Sequence, residues 1–157
     1  MRKSILSALL ISAVVLLSSC GDSATKVNDI LVEKSDKAVE LMEMAGQYIQ
    51  IDDYDNALVY LDSVSIFTTE AVPVISALKN KSAEKLQKAT VEYMELFNSG
   101  VATYKQAIEL YQTAEDNDQM ETANNLVNDF IEKTQDKLTE MQELQAAFAK
   151  SNNITLR

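Results

Sequence analysis

The sequence predicts an all-α protein, an antiparallel up-down bundle of four helices, on three observations. Apolar residues recur in alternating three- and four-residue steps over most of the chain, which gathers them on one face of each helix. With three Gly and one Pro in 157 residues, the chain lacks the turn punctuation that a β-sandwich or barrel requires. The polar breaks between apolar stripes are only a few residues long, and short connections make consecutive helices antiparallel neighbours. The competing arrangement is elongated: the second and third helices fuse into one long central helix on which the first and fourth fold back as hairpins.

The helical domain is expected over 27–150. Its first helix, about 27–50, carries Val27, Ile30, Leu31, Ala38, Leu41, Met42, Ala45, Tyr48 and Ile49 on one face. Ile51-Asp52-Asp53 interrupts the stripe, and either aspartate is a suitable N-cap for the next helix. The second helix, about 53–79, runs through Tyr54, Ala57, Leu58, Leu61, Val64, Ala71, Val72, Ile75 and Leu78. Pro73 lies inside it, so a kink is expected, with the Thr68 and Thr69 hydroxyls at hand for the carbonyl of Thr69 that the proline cannot serve.

Asn80-Lys81-Ser82 supplies a C-terminal cap and an N-cap for the third helix, about 82–115. Its stripe passes through Leu86, Tyr93, Met94, Phe97, Val101, Tyr104, Ile108 and Tyr111. The period survives Asn98-Ser99-Gly100, so this stretch reads as one helix with a weak point at Gly100. Glu115-Asp116-Asn117-Asp118 ends it. The fourth helix, about 118–150, uses Met120, Ala123, Val127, Phe130, Ile131, Leu138, Met141, Leu144 and Phe148, and 151–157 is expected to be a frayed tail.

Ahead of the helices, Arg2 and Lys3 precede an apolar run from Ile5 to Leu17. Spanning a bilayer takes about 20 apolar residues, so the run fits the core of a signal peptide. Leu17-Ser18-Ser19-Cys20 then resembles the lipobox of bacterial lipoproteins. The resemblance implies cleavage after residue 19, acylation of Cys20 by palmitate-type chains, a lipidated tether over 20–26, and the membrane as a partner through that anchor. It also implies a place in the cell envelope and, if the cell is Gram-negative, at its outer membrane, because Gly21 rather than Asp follows the cysteine. The later helices, with Tyr104-Lys105-Gln106-Ala107-Ile108-Glu109-Leu110-Tyr111 before an acidic turn, resemble helical-bundle cell-wall-binding lipoproteins. Ala45-Gly46-Gln47-Tyr48 and Asp53-Tyr54-Asp55-Asn56-Ala57-Leu58-Val59-Tyr60-Leu61-Asp62 resemble a single tetratricopeptide-like helix hairpin, which implies a peptide receptor.

The formal net charge is −10, which repels phosphate backbones and argues against nucleic acid as a partner. There is no His and one Cys, so zinc sites, di-iron Glu-x-x-His pairs and Cys/His nucleophile systems lack their residues. No Gly-rich phosphate loop is present. No cofactor and no enzyme activity are therefore expected. Carboxylates crowd two turns, Asp52, Asp53 and Asp55 at one and Glu115, Asp116 and Asp118 at the other. Oxygen ligands of this kind suit Ca2+, and a divalent-cation binder is one alternative function, although helix N-termini favour acidic residues in any case. Val59 and Tyr60 form a small apolar excess on the outer side of the second helix, a candidate contact surface. The expectation is thus a lipid-anchored envelope protein carrying a non-catalytic helical interaction module with a protein or envelope partner; its oligomeric state does not follow from the sequence.

Overall fold

Each long helix begins where a side chain or a tight turn satisfies its first free N–H groups. The computed structural model describes residues 22–156; the expected leader 1–19, the lipobox residues Leu17, Ser18 and Ser19, and Cys20 lie outside the described residues. Helix α1 covers Ala24–Gln50, α2 Tyr54–Ser76, α3 Glu84–Thr113 and α4 Asn117–Ser151, with a single 3-10 turn at Lys81–Ala83 leading into α3. Ser23, Asp53 and Asp116 are the N-caps of α1, α2 and α4, their side chains accepting from the N–H groups of Lys26, Asn56 and Gln119. Each cap satisfies one backbone donor that the helix itself leaves free.

Consecutive helices run antiparallel, as cross-contacts show. Lys105 pairs with Asp62 at 2.7 Å and Ser65 donates to Asn98 at 2.9 Å, tying α2 to α3. Phe130 of α4 meets Phe97 and Tyr104 of α3 edge-on, with ring centroids 6.0 and 5.4 Å apart. The protein is an all-helical up-down bundle. Because α2 and α3 fold back on each other, the fused rod is excluded: Leu78 to Asn80 leave the helix, and Gln87 Nε2 donates to the carbonyl of Ile75 at 2.6 Å to hold the reversal.

The buried face of α2 is Ala57, Leu61, Val64, Thr68, Ala71 and Ile75, an alternation of four and three that matches coiled-coil-like packing. Across from it, α1 buries Leu31, Ser35, Ala38, Met42 and Ala45. Alanine on both sides lets the two helices approach closely. The buried hydroxyls are satisfied within their own helices: Ser35 donates to the Leu31 carbonyl, Thr68 to that of Val64 and Thr90 to that of Leu86. Full burial of side chains such as Leu61, Ile75 and Ile108 contributes about 1.5 to 3 kcal/mol each.

Four local expectations are corrected. Helix α2 ends at Ser76, three residues beyond Pro73, so the proline sits in the last turn and exposed, not at a kink in a helix running to residue 79. Thr68 bonds the carbonyls of Val64 and Ser65, not that of Thr69. The tether also begins its structure early: Asp22 N–H donates to the Lys79 carbonyl at 2.9 Å, the Lys79 N–H donates to Asp22 Oδ2 at 3.0 Å, and α1 starts at Ala24. At the other end the tail is not frayed through Ile154. Asn153 takes a left-handed φ of 54°, and the Ile154 N–H returns to the Ala149 carbonyl at 2.9 Å, closing α4 as a Schellman turn.

The circuit of helices is incomplete. α1, α2 and α3 pack as a triangle, and α4 lies against α3 with only slight contact to α1. Among the described residues α4 buries Ala123, Phe130, Met141, Phe148 and Ala149, a narrow stripe sufficient for one neighbour. Among the described residues a single side-chain hydrogen bond, Gln145 Nε2 to Asn28 Oδ1 at 3.1 Å, crosses from α4 to α1.

Candidate interaction surfaces

The two acidic turns are built as helix ends. Asp52, at φ 59°, closes α1 in a left-handed turn, Asp53 caps α2, and Asp55 lies in the first turn of α2. Asp116 caps α4 and Asp118 sits in its first turn, while the Glu115 N–H donates to Gln119 Oε1. Asp53 also accepts from the Asn56 side chain at 2.7 Å. Among the described residues no group of three or more His, Cys, Asp or Glu side chains is placed to hold a metal ion. Asp53 and Asp116 accept from the N–H groups of the helices they open, Asp52 accepts from the Tyr54 hydroxyl, and Glu115 takes part through its backbone N–H, so Asp52, Asp53 and Asp55, like Glu115, Asp116 and Asp118, are divided among separate tasks.

The outer face of α2 is the more conspicuous feature. The helix carries three charges in 23 residues, Asp55, Asp62 and Glu70. Its most apolar stretch has a mean hydropathy of 1.4 yet is only 28% buried. By length and composition that stretch is apolar enough to cross a membrane, but its inner face is the core stripe of this bundle. Val59 is 60% exposed and Ile66 61%, one turn-pair apart, with Val74 continuing the ridge. Tyr60, expected beside Val59 on this surface, instead turns back and stacks on Tyr48 of α1 at 5.4 Å. Ile66 and Val74 were legible as apolar residues outside the main stripe at seven- and eight-residue steps from Val59.

The second surface lies between α1 and α4. Tyr93 and Phe97 pack edge-on at 4.7 Å and, with Tyr104 and Phe130, floor an open trough. Burial pushes the Tyr93 phenol up to about 12, reinforced by the charges of Asp36 and Glu43, and burial does the same for Tyr104, helped by Tyr111. Both remain protonated hydrogen-bond donors across the physiological range. Beside the stripe that α4 buries, Lys137 bridges Glu92 of α3 and Glu140, and the hydrogen bond from Lys137 holds the Glu92 carboxyl below its usual range.

An all-helical bundle with two uncovered apolar surfaces is the class these features define. Residues 47–155 match the family described as exocyst complex component Sec8 N-terminal. The chain belongs to that family. No curated protein and no solved structure matches it.

Membership corrects the bacterial-lipoprotein recognition. A short apolar leader followed by one cysteine is a pattern of few positions, whereas the match runs from the end of α1 through α4. The lipid-anchored envelope function, the outer-membrane address, palmitate, and the membrane as a partner through Cys20 lose their support with it. The likeness to cell-wall-binding bundles gives way for the same reason. So do the two alternative functions: the carboxylate turns are helix caps, and the tetratricopeptide-like stretch is the single α1–α2 hairpin of this different family.

Proposed function

We propose that the chain is a non-catalytic helical module that joins components of a multi-protein assembly of the exocyst kind, and that the outer face of α2 is the surface on which a helix of another component docks. The observation that carries this reading is the ridge of Val59, Ile66 and Val74 on a chain whose family is named for a complex component. Exposed branched aliphatics at seven- and eight-residue steps, with only Asp62 and Glu70 as charges between them, mark a contact surface with an acidic edge rather than a fully solvated face. A helix laid along them would bury side chains at the spacing used in helix-to-helix recognition.

The test is co-purification of the full chain from its own cells, native and with Val59→Arg plus Ile66→Arg. Both sites are exposed, so the bundle should melt unchanged. The native chain is expected to elute from size exclusion with other exocyst components, and the double variant to lose them at least about tenfold, as hot-spot residues do. A native chain that elutes alone, or a variant that keeps its partners, would overturn the reading.

A further inference from the structure

A different surface carries an inference that does not depend on the α2 ridge. The α1–α4 trough widens at two places along its length, to about 580 Å³ and 270 Å³. Its apolar lining includes Met42, Phe97, Tyr104, Phe130, Ile131 and Leu138, and Ile131 is 51% exposed. Asp36 and Glu43 line it from α1, and no Lys or Arg does. With Asp29 they form a row at seven-residue spacing on exposed positions of α1, and among the described residues none of the three makes an ion pair. The α4 rim opposite is neutral, made by Gln135, Gln142 and Gln145.

Gly46 supplies an independent sign. It lies in α1 four residues before the helix ends at Gln50, on the trough wall, where glycine costs up to about 1 kcal/mol relative to alanine. A Cβ added there would meet nothing within 4 Å. The folded chain has no steric need of this glycine, yet its lack of a side chain leaves the wall of the larger widening open. Close approach of another backbone is what such a position allows.

We propose that the α1–α4 trough seats a basic amphipathic helix of a partner protein, its apolar face on the aromatic floor and its Lys and Arg residues along Asp29, Asp36 and Glu43. From Asn28 to Gln50 the α1 wall extends about 33 Å, the length of a helix of about 22 residues at 1.5 Å each. A second copy of this acidic chain and a nucleic acid both bring the wrong charge.

The probes are two synthetic helical peptides of about that length, with Leu and Phe at helix-face spacing, one flanked by Lys and the other by Glu. Anisotropy is read with the full native chain and with Gly46→Leu, Asp29→Asn/Asp36→Asn/Glu43→Gln, and Val59→Arg/Ile66→Arg. The Lys peptide should bind the native chain, and the Glu peptide should bind at least about tenfold more weakly. Gly46→Leu should lower affinity about tenfold while its melting temperature holds or rises, because leucine is the better helix former. The triple substitution should weaken binding and flatten its salt dependence, and the α2 variant should bind as the native chain does. No binding of the Lys peptide, equal binding of the two peptides, undiminished binding by Gly46→Leu or the triple variant, or loss in the α2 variant would overturn the proposal.

Discussion

Asp52 and Asp53 are adjacent carboxylates with opposite jobs. Asp52 occupies the left-handed position after α1, where its N–H donates to the Ile49 carbonyl at 3.1 Å, and Asp53 returns its N–H to the Tyr48 carbonyl at 2.9 Å before capping α2. A left-handed φ strains a side chain with a Cβ but not glycine. The Asp52 carboxylate also accepts from the Tyr54 hydroxyl at 2.9 Å, an exposed bond of small net value. Asp52→Gly is therefore expected to stabilise the protein by about 0.5 to 1 kcal/mol, read as a rise in the thermal midpoint. A fall would show that the Tyr54 bond outweighs the strain. That one of this pair was an N-cap was legible in the sequence, but which one depended on the backbone turn.

At the scale of the element, α3 shows why a glycine can belong inside a helix. The apolar stripe kept its period through Gly100, and α3 is indeed continuous from Glu84 to Thr113. The reason glycine stands there comes from α4: a Cβ at residue 100 would overlap the ring of Phe130. Gly100→Ala should gain helix propensity of up to about 1 kcal/mol and lose more to overpacking, for a net destabilisation of about 1 to 2 kcal/mol. Denaturant titration measures it, and trimming the ring with Phe130→Leu in the same chain should recover part of the loss. If Gly100→Ala stabilised the protein, the close approach would not be the glycine's reason. Pro73 is the opposite case. Its cost was legible, but the consequence, a helix that ends one turn later, depended on how α2 reverses into α3.

Across the whole molecule, Asp22 fastens the start of α1 to the α2–α3 connection. Its carboxylate accepts from Lys26 at 2.8 Å and from the Lys79 N–H, and its own carbonyl accepts from Asn80 Nδ2 at 3.0 Å. The hydrogen bond from Lys26, followed by that from Lys79, lowers the Asp22 pKa. A lowered folded-state pKa contributes stability that is complete above the unfolded value of about 4. That stability is lost as the pH falls through the folded value. Glu92 has the same sign through Lys137. Asp22→Asn should thus be less stable at neutral pH and decline less steeply below about pH 4 than the native chain, by an amount that solvent exposure keeps small. Parallel acid-unfolding curves for the two proteins would refute the assignment.

What the sequence by itself determined is the set of helices and their inward faces, because a 3.6-residue period is a local property that apolar burial converts directly into α1 to α4. The exposed position of Val59 was legible on the same ground, as an apolar residue off the stripe. The tertiary structure alone decided that α2 and α3 fold back rather than fuse, since the period nearly continues between them and only cross-chain bonds such as Gln87 to Ile75 choose. It decided that Tyr60 turns onto Tyr48, and that Asp36 and Glu43 border a trough. The trough rests on where α4 stops short of α1, and in every case the position of one helix relative to another is set by packing between residues far apart in the chain, which no local pattern records.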